Sequence, residues 1–260
     1  VRMASGGGAA ITGTTPKPGQ VLELMKVCGE LKRTARTGWV RCGVKDYESV
    51  ADHSWRMAML PLLFADMPDV DHIRCMKIGL VHDLAEAIVG DITPHCGVSK
   101  DQKSRLESEA MHKICATVGE SSIGKEILGC WNEYEAGLTR EAKLMKDLDK
   151  FEMILQAEDY EEQQGIDLSQ FFESTKGKIK DEVVSSWEQE LRLRRETRLE
   201  KSRTAPTVLE TQIEKQTETA TETATETETA TATATTTATA TKTATATDAG
   251  TDEAGSKRKR

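Results

Sequence analysis

The sequence IGLVHDLAEAIVGDITP, residues 78–94, combines an apolar run with several side chains that can bind metal ions. His82 and Asp83 are adjacent, Glu86 follows within one helical turn, and Asp91 stands near the end. On a helix of about 3.6 residues per turn, the first three of these side chains can point toward one position. Imidazole nitrogens and carboxylate oxygens together suit divalent transition ions. The stretch indicates either a metal site or a capped helix whose His and Asp are merely satisfied partners.

Helical periodicity extends through most of the chain on either side of this stretch. We expect residues 32–39 to form a loop, Pro61 to kink the second helix near its end, and Gly90 to end the third in the left-handed conformation. No segment alternates like a strand for more than a few residues. The sequence therefore predicts an all-α body of six or more helices packed on one another. The expected helices cover residues 20–31, 49–64, 71–89, 100–118, 123–134, 139–164, 168–174 and 181–198.

The composition divides the chain into three parts. Residues 1–19 are rich in Gly, Ala, Thr and Pro without periodicity, so we expect a flexible lead-in. Residues 20–200 form the single predicted domain. From Lys201 the sequence turns to Thr, Ala and Glu with few large apolar side chains, so residues 201–260 are expected to be disordered. The basic end Lys257–Arg260 fits a nuclear-import signal, although a solubilising charged end is the simpler interpretation.

Net charge, hydropathy and cysteine content exclude some classes of function and indicate a cellular compartment. The formal net charge of −8 argues against a general nucleic-acid binder, which needs a basic face. No apolar run approaches the ~20 residues of a membrane span, and the first twenty residues lack the apolar core of a secretory signal. The six cysteines include no C-x-x-C pair, which fits a reducing interior. We therefore expect an intracellular, cytoplasmic protein that binds neither nucleic acid nor membranes.

Metal-ligand residue types stand on three separate predicted helices. His53 lies on the second helix, the His82–Asp83 pair on the third, and Asp149 beside the apolar stripe of the helix over residues 139–164. The order is therefore His, then His-Asp 29 residues later, then Asp after 66 more. Each of these elements is weak by itself, but their combination in an all-helical body favours a common ion.

This order resembles the metal-binding pattern of the HD superfamily of phosphohydrolases. The resemblance covers roughly residues 20–200. Over this range the sequence is similar to the 5′-deoxynucleotidases of that superfamily. It implies a single HD-domain helical bundle that removes the 5′-phosphate from a deoxyribonucleoside 5′-monophosphate and commonly forms a homodimer. Four blocks carry it: LKRTARTGWV (31–40), ESVADHSWRMA (48–58), GLVHDLAEAIVGDITP (79–94) and KDLDKFEMILQAEDYE (146–161).

The resemblance also implies two groups of site residues. The first group would bind one divalent cation, such as Mn²⁺, Co²⁺ or Mg²⁺. The second group would form a second cation site or the polar shell around the attacked phosphate. The first group comprises His53, His82, Asp83 and Asp149, and the second comprises Glu86, Asp91 and the carbonyl of Ile92.

Chemical reasoning gives further residues a role in such a reaction. Two imidazoles and two carboxylates leave open positions on a six-coordinate ion for water and a phosphate oxygen. Glu86 would donate a proton to the leaving oxygen or order the water. The resemblance adds Asp91 as a second catalytic residue. Arg36 would bind the phosphate, and Trp39 would stack on the base or sugar. Bacterial relatives have an arginine where this chain has Gly38, which leaves open whether Arg33 or Arg36 reaches the phosphate.

Three hypotheses for function follow from these residues. The first is a metal-dependent 5′-deoxynucleotidase. The second is another HD hydrolase, acting on a cyclic nucleotide, an alarmone or a nucleoside triphosphate. The third is a non-catalytic helical interaction protein that keeps a metal for stability and binds partners through its Thr-rich tail. A substrate panel separates the first two, and deletion of residues 201–260 tests the third.

Overall fold

Helices account for nearly all regular structure in the computed structural model, which describes residues 15–119 and 121–204. Within these ranges the only strand-like feature is an isolated bridge between Ala35 and Ser49. The all-α prediction is confirmed. The helices are α1 (Pro18–Glu30), α2 (Thr37–Arg41), α3 (Val50–Met59), α4 (His72–Val81), α5 (Glu86–Val89), α6 (Lys100–Ala116), α7 (Ser122–Ala136), α8 (Arg140–Gln164), α9 (Ser169–Thr175) and α10 (Glu182–Thr204).

The chain divides into two compact units, the first of which ends at Glu196. Of the second unit only residues 197–204 are described, and they are helical. Helix α10 thus runs four residues beyond the predicted end of the domain at residue 200. The predictions for residues 1–14 and 205–260, including the disordered tail, lie outside the described residues. None of the described helices is long and apolar enough to cross a membrane.

Several helix boundaries follow the local signals in the sequence. The side chains of Ser49, Asp71 and Thr139 accept hydrogen bonds from amides three residues later and so cap α3, α4 and α8. The expected kink at Pro61 is confirmed, because α3 gives way to a 3₁₀ turn over Leu60–Phe64. A second 3₁₀ turn covers Pro94–Cys96.

The long helix predicted from Asp71 to Val89 is wrong in one respect, because residues 82–85 interrupt it between α4 and α5. The amides of Leu84 and Glu86 bond to carbonyls three residues back, at 3.0 Å in both cases, instead of four. The His-Asp pair therefore lies in a tightened turn. Simple helical spacing no longer determines the directions of its side chains.

Two further local predictions are wrong. Gly90 has the expected positive φ of 75°, but its ψ of 170° is extended and not left-handed helical, so it turns the chain out of α5. The loop predicted over residues 32–39 is partly helical, because α2 begins at Thr37. The reason is tertiary: the amide and hydroxyl of Thr37 bond to Asp91, and Trp39 is buried.

The packing of α3 against α4 determines where the site forms. A Cβ atom on Gly79 would lie 2.7 Å from the carbonyl oxygen of Met57, so only glycine permits this close approach. Around the crossing, the core includes Ile78, Leu144 and Leu148, all fully buried. The close crossing brings the helix that carries His53 next to the turn that carries the His-Asp pair.

Candidate metal centre

Three elements bring metal-ligand side chains to one point inside the bundle. His53 on α3, His82 after α4 and Asp149 on α8 each offer one ligand atom within 4.8 Å of the others. The Nε2 atom of His53 is 3.3 Å from Nε2 of His82 and 3.5 Å from Oδ1 of Asp149. Both imidazoles are buried.

Asp83 completes this group. Its Oδ2 atom lies 3.3 Å from Nε2 of His82 and 3.7 Å from Nε2 of His53. The structure thus brings together the four residues expected at the first site, and we refer to His53, His82, Asp83 and Asp149 as the metal cluster. Their role as ligands stays a prediction.

A hydrogen bond to Nδ1, the nitrogen that faces away from the metal cluster, orients each imidazole. Nδ1 of His82 lies 2.9 Å from the carbonyl oxygen of Gly79, which can only accept, so Nδ1 is the donor. Nδ1 of His53 lies 2.7 Å from Oε2 of Glu152, which is fully buried. In both rings Nε2 is left facing the cluster, which is the arrangement that second-layer partners impose on metal-binding histidines.

Tyr134 on α7 orients the carboxylate on α8. Its hydroxyl donates to Oδ2 of Asp149 at 2.8 Å, so Oδ1 is left to face His53. Its ring centroid lies 5.0 Å from that of His82. Burial and the neighbouring Asp149 raise the pKa of Tyr134 well above its ordinary value, which keeps the hydroxyl a donor.

The sequence interpretation missed Tyr134 and Glu152. For Glu152 a signal existed, since it follows Asp149 by three residues and therefore shares its face of α8. For Tyr134 no local signal exists, because its position on an apolar helix face is equally typical of a core tyrosine.

The electrostatics of the metal cluster favour positive charge at its centre. Burial alone would lower the pKa of His82, but Asp83 and Asp149 raise it to about 9. Although burial opposes ionisation, His82 and Arg36 hold the pKa of Asp83 well below its usual range. The pKa of Asp149 is lowered by both imidazoles despite its burial. Two oriented nitrogens beside two ionised carboxylates fit a divalent cation.

The second predicted group, which we call the acidic corner, consists of Glu86, Asp91 and the Ile92 carbonyl. Glu86 is 4 % exposed, and its Oε2 atom has no hydrogen-bond partner within the described residues. Burial and the charges of Asp83 and Asp91 raise its pKa to about 10. Glu86 is therefore a neutral acid at neutral pH.

The other two members of the acidic corner bond to donors of the protein itself. The amide of Thr37 donates to Oδ2 of Asp91 at 2.6 Å. The ammonium of Lys103 donates to the Ile92 carbonyl at 3.0 Å and lies 3.4 Å from Oε1 of Glu107. Lys103, which the sequence interpretation also missed, thus places a fixed positive charge at this corner.

Of the two candidate arginines, Arg36 lies at the site. Its Nη1 atom donates to Oδ2 of Asp83 at 3.2 Å, whereas Arg33 pairs with Glu30 on the surface of α1. Burial opposes the charge of Arg36, but Asp83 and Asp149 raise its pKa further above its usual range. Arg36 therefore remains a cation beside the metal cluster.

A cavity of about 380 Å³ opens beside Arg36 and Asp91. Trp39 borders it but is only 2 % exposed, and its indole nitrogen donates to Oε1 of Glu48 at 2.9 Å. The other lining residues are Gly38, Arg41, Cys42, Thr93, Pro94, His95, Met153, Gln170, Phe171 and Ser174.

The sequence and the fold are similar to those of known proteins. A family model described as an HD domain matches residues 28–187. The 5′-deoxynucleotidase HDDC2 of Dictyostelium discoideum is 46 % identical over 177 residues, covering 64 % of this chain and 93 % of that protein. The protein of the same name from Danio rerio is 50 % identical over 161 residues, covering 61 % and 80 %. The solved structure of HD domain-containing protein YGK1 aligns with a TM-score of 0.54 at 28 % identity, over 72 % of this chain and 90 % of that one.

Proposed function

Because this chain belongs to the HD-domain family, we propose that it is a metal-dependent 5′-deoxynucleotidase. The reaction is hydrolysis of a deoxyribonucleoside 5′-monophosphate to the deoxyribonucleoside and phosphate. The relatives named 5′-deoxynucleotidase support the reaction class. The observation that carries the proposal is the metal cluster, in which side chains from three elements converge with their inward ligand atoms facing one another.

The metal cluster would hold one divalent cation, for which we propose Mn²⁺, Co²⁺ or Mg²⁺. When bound, such a cation supplies Lewis-acid activation of water and neutralises phosphoryl charge. The protein keeps the binding geometry ready through Gly79, Glu152 and Tyr134, which occupy the outward atoms of the ligand side chains. The ligands therefore need little rearrangement to bind.

Arg36 is the proposed phosphate-binding residue. Its guanidinium lies at the boundary between the cavity and the metal cluster, where a substrate phosphate would reach both. A guanidinium can form two parallel hydrogen bonds to a phosphate, which fixes the orientation of the bond to be cleaved.

Glu86 is the proposed proton donor to the leaving 5′-oxygen. Its raised pKa of about 10 keeps the proton on the carboxyl at neutral pH, and its unpartnered Oε2 leaves it free to donate. Asp91 accepts a hydrogen bond from the amide of Thr37 and so fixes the start of α2, the helix that carries Trp39. The alternative for the acidic corner is a second cation bound by Glu86, Asp91 and the Ile92 carbonyl.

A homodimer is the proposed assembly. Large apolar side chains on α3 and the 3₁₀ turn after it are exposed, with Trp55 63 % and Leu63 67 % accessible, and Met59 and Leu62 lie between them. An exposed apolar face of this kind is typical of protein interfaces.

The six cysteines, none of them in a disulfide, support the proposed location inside the cell.

Phosphate release from a panel of substrates tests the proposed function. The full chain, stripped with a chelator and reloaded with each metal, is assayed on all deoxyribonucleoside and ribonucleoside 5′-monophosphates, cyclic nucleotides, alarmones and deoxyribonucleoside triphosphates. We expect release from the deoxyribonucleoside monophosphates only when metal is present. Preferred hydrolysis of another class would favour the second hypothesis. Metal binding without turnover on any substrate would favour the interaction protein.

A further inference from the structure

The aromatic ring expected to stack on the nucleobase is largely covered. The indole of Trp39 packs against Phe171 at a centroid distance of 4.4 Å and against Tyr160 at 5.4 Å. With 2 % of its surface exposed and its nitrogen bonded to Glu48, it has no open face for a ligand. Trp39 therefore contributes little to the surface of the cavity and mainly supports its wall.

Phe171 on α9 is the aromatic ring that packs on Trp39 and lines the cavity with it. It is only partly buried, and it lines the same cavity as Arg36. The ring packs on Gly38, where a Cβ atom would be in ordinary van der Waals contact, 3.4 and 3.5 Å from two carbons of the ring. The ring rests against the start of α2, backed by the indole.

The cavity is large enough for a nucleoside beside the phosphate-binding end. Its volume of about 380 Å³ falls within the range of small-molecule sites. Gln170 and Ser174 line it from the same helix as Phe171. The amide nitrogen of Gln170 bonds only to the sulfur of Cys42, at 3.0 Å, and its carbonyl oxygen has no hydrogen bond within the described residues. An aromatic ring and a polar side chain that is available to a ligand thus line the same cavity.

We propose that Phe171 is the surface on which the substrate's base stacks, while Arg36 binds the phosphate of the same molecule. This inference rests on the proposed function and names the residue that recognises the nucleoside. Stacking tolerates every base, because each has a π face. The site should therefore accept all four deoxyribonucleoside monophosphates, with only small differences set by Gln170.

Binding of the product nucleoside tests this proposal without any turnover. Deoxyadenosine carries the base but no phosphate, so its affinity for the full chain as purified, measured by ligand-observed NMR titration, reports the base site alone. We expect Phe171→Leu to weaken this affinity about tenfold and Phe171→Tyr to retain it. Phe172→Leu is the matched control, because Phe172 is buried on the same helix and absent from the cavity wall. Thermal melting shows whether each variant is folded.

A base-free substrate adds a kinetic comparison. In Phe171→Leu, kcat/KM for dAMP should fall about tenfold, while kcat/KM for 2-deoxyribose 5-phosphate should stay within about twofold. Unchanged deoxyadenosine affinity in Phe171→Leu, or equal losses on both substrates, would overturn the proposal. If the wild-type chain releases no phosphate from any nucleotide, the proposed function fails, and the nucleoside titration alone then decides the role of Phe171.

Discussion

The metal cluster and the acidic corner contain the same kinds of oxygen ligand, but the protein engages their atoms differently. In the metal cluster, partner groups bind the outward atoms of His53, His82 and Asp149 and leave the inward atoms facing one another. Arg36 is the exception, because it donates to the inward Oδ2 atom of Asp83. In the acidic corner, Thr37 and Lys103 bind two of the oxygens themselves, and Glu86 is left neutral with an Oε2 atom that has no hydrogen-bond partner in the described part of the chain. The comparison teaches that the residue types in the sequence do not by themselves determine whether a metal ion binds. What matters is which ligand atoms the rest of the protein leaves facing one another.

The difference also separates two kinds of chemistry. Ionised carboxylates beside oriented imidazoles attract a cation, whereas a neutral carboxyl beside an ammonium is suited to proton donation. The protein therefore holds a charged site and a protonated acid close enough for the charge of Asp83 to act on Glu86.

The largest expected effect comes from removing a member of the metal cluster. His82→Ala should lower phosphate release by about 10³-fold or more, since it removes both an oriented ligand and the ion's contribution to transition-state stabilisation. Metal content of the purified protein, measured by mass spectrometry, should fall in parallel. His112→Ala removes an exposed imidazole on α6 and should change neither quantity. Full activity of His82→Ala would refute the metal assignment.

The sequence was sufficient to predict the all-α class and the convergence of the residues in the metal cluster. Periodicity placed most of the helices, and capping residues placed several of their starts. The family resemblance carried by the His, His-Asp and Asp order predicted which residues meet. The orienting contacts could not be predicted, because Glu152 bonds to a histidine 99 residues away and no local pattern records that contact. The burial of Trp39 was missed for the same reason, since its covering ring comes from α9. Tertiary contacts also account for the tightened turn at residues 82–85.

A smaller effect is expected when an orienting partner is changed. Glu152→Gln keeps the size of the side chain but weakens its hold on Nδ1 of His53. We expect affinity for Mn²⁺ to fall about 10- to 100-fold, the range typical for partners of metal-binding histidines. Calorimetric titration measures this directly. Glu162→Gln, an exposed change on the same helix, is the control, and an equal affinity in both variants would mean that Glu152 serves only packing.

Proton release tests the electrostatics of the metal cluster. Because the pKa of His82 is raised to about 9, its imidazole is protonated at pH 7 and must lose that proton to become a ligand. We expect about one proton released per ion, and an affinity that rises about tenfold per pH unit until the pH reaches about 9. Titrations in two buffers of different ionisation enthalpy count the protons. Binding without proton release at pH 7 would contradict the raised pKa.

The smallest expected effect distinguishes the two roles proposed for the acidic corner. If the corner binds a second cation, Lys103 opposes it, because its ammonium repels the ion and occupies the Ile92 carbonyl. Lys103→Met should then strengthen a second, weaker class of Mn²⁺ sites about fivefold, or about 1 kcal/mol, as expected for a partly exposed charge. The readout is the number and affinity of bound ions in an electron paramagnetic resonance titration.

Lys100→Met is the matched control for that titration, because Lys100 is exposed in the first turn of the same helix and has no contact with the corner among the described residues. A second class of sites that strengthens in Lys103→Met alone would assign Glu86 to a cation. A single class of sites in all three proteins would instead leave Glu86 protonated beside Lys103. In that case the lysine's positive charge helps the acid release its proton, so Lys103→Met should slow phosphate release while metal content stays unchanged.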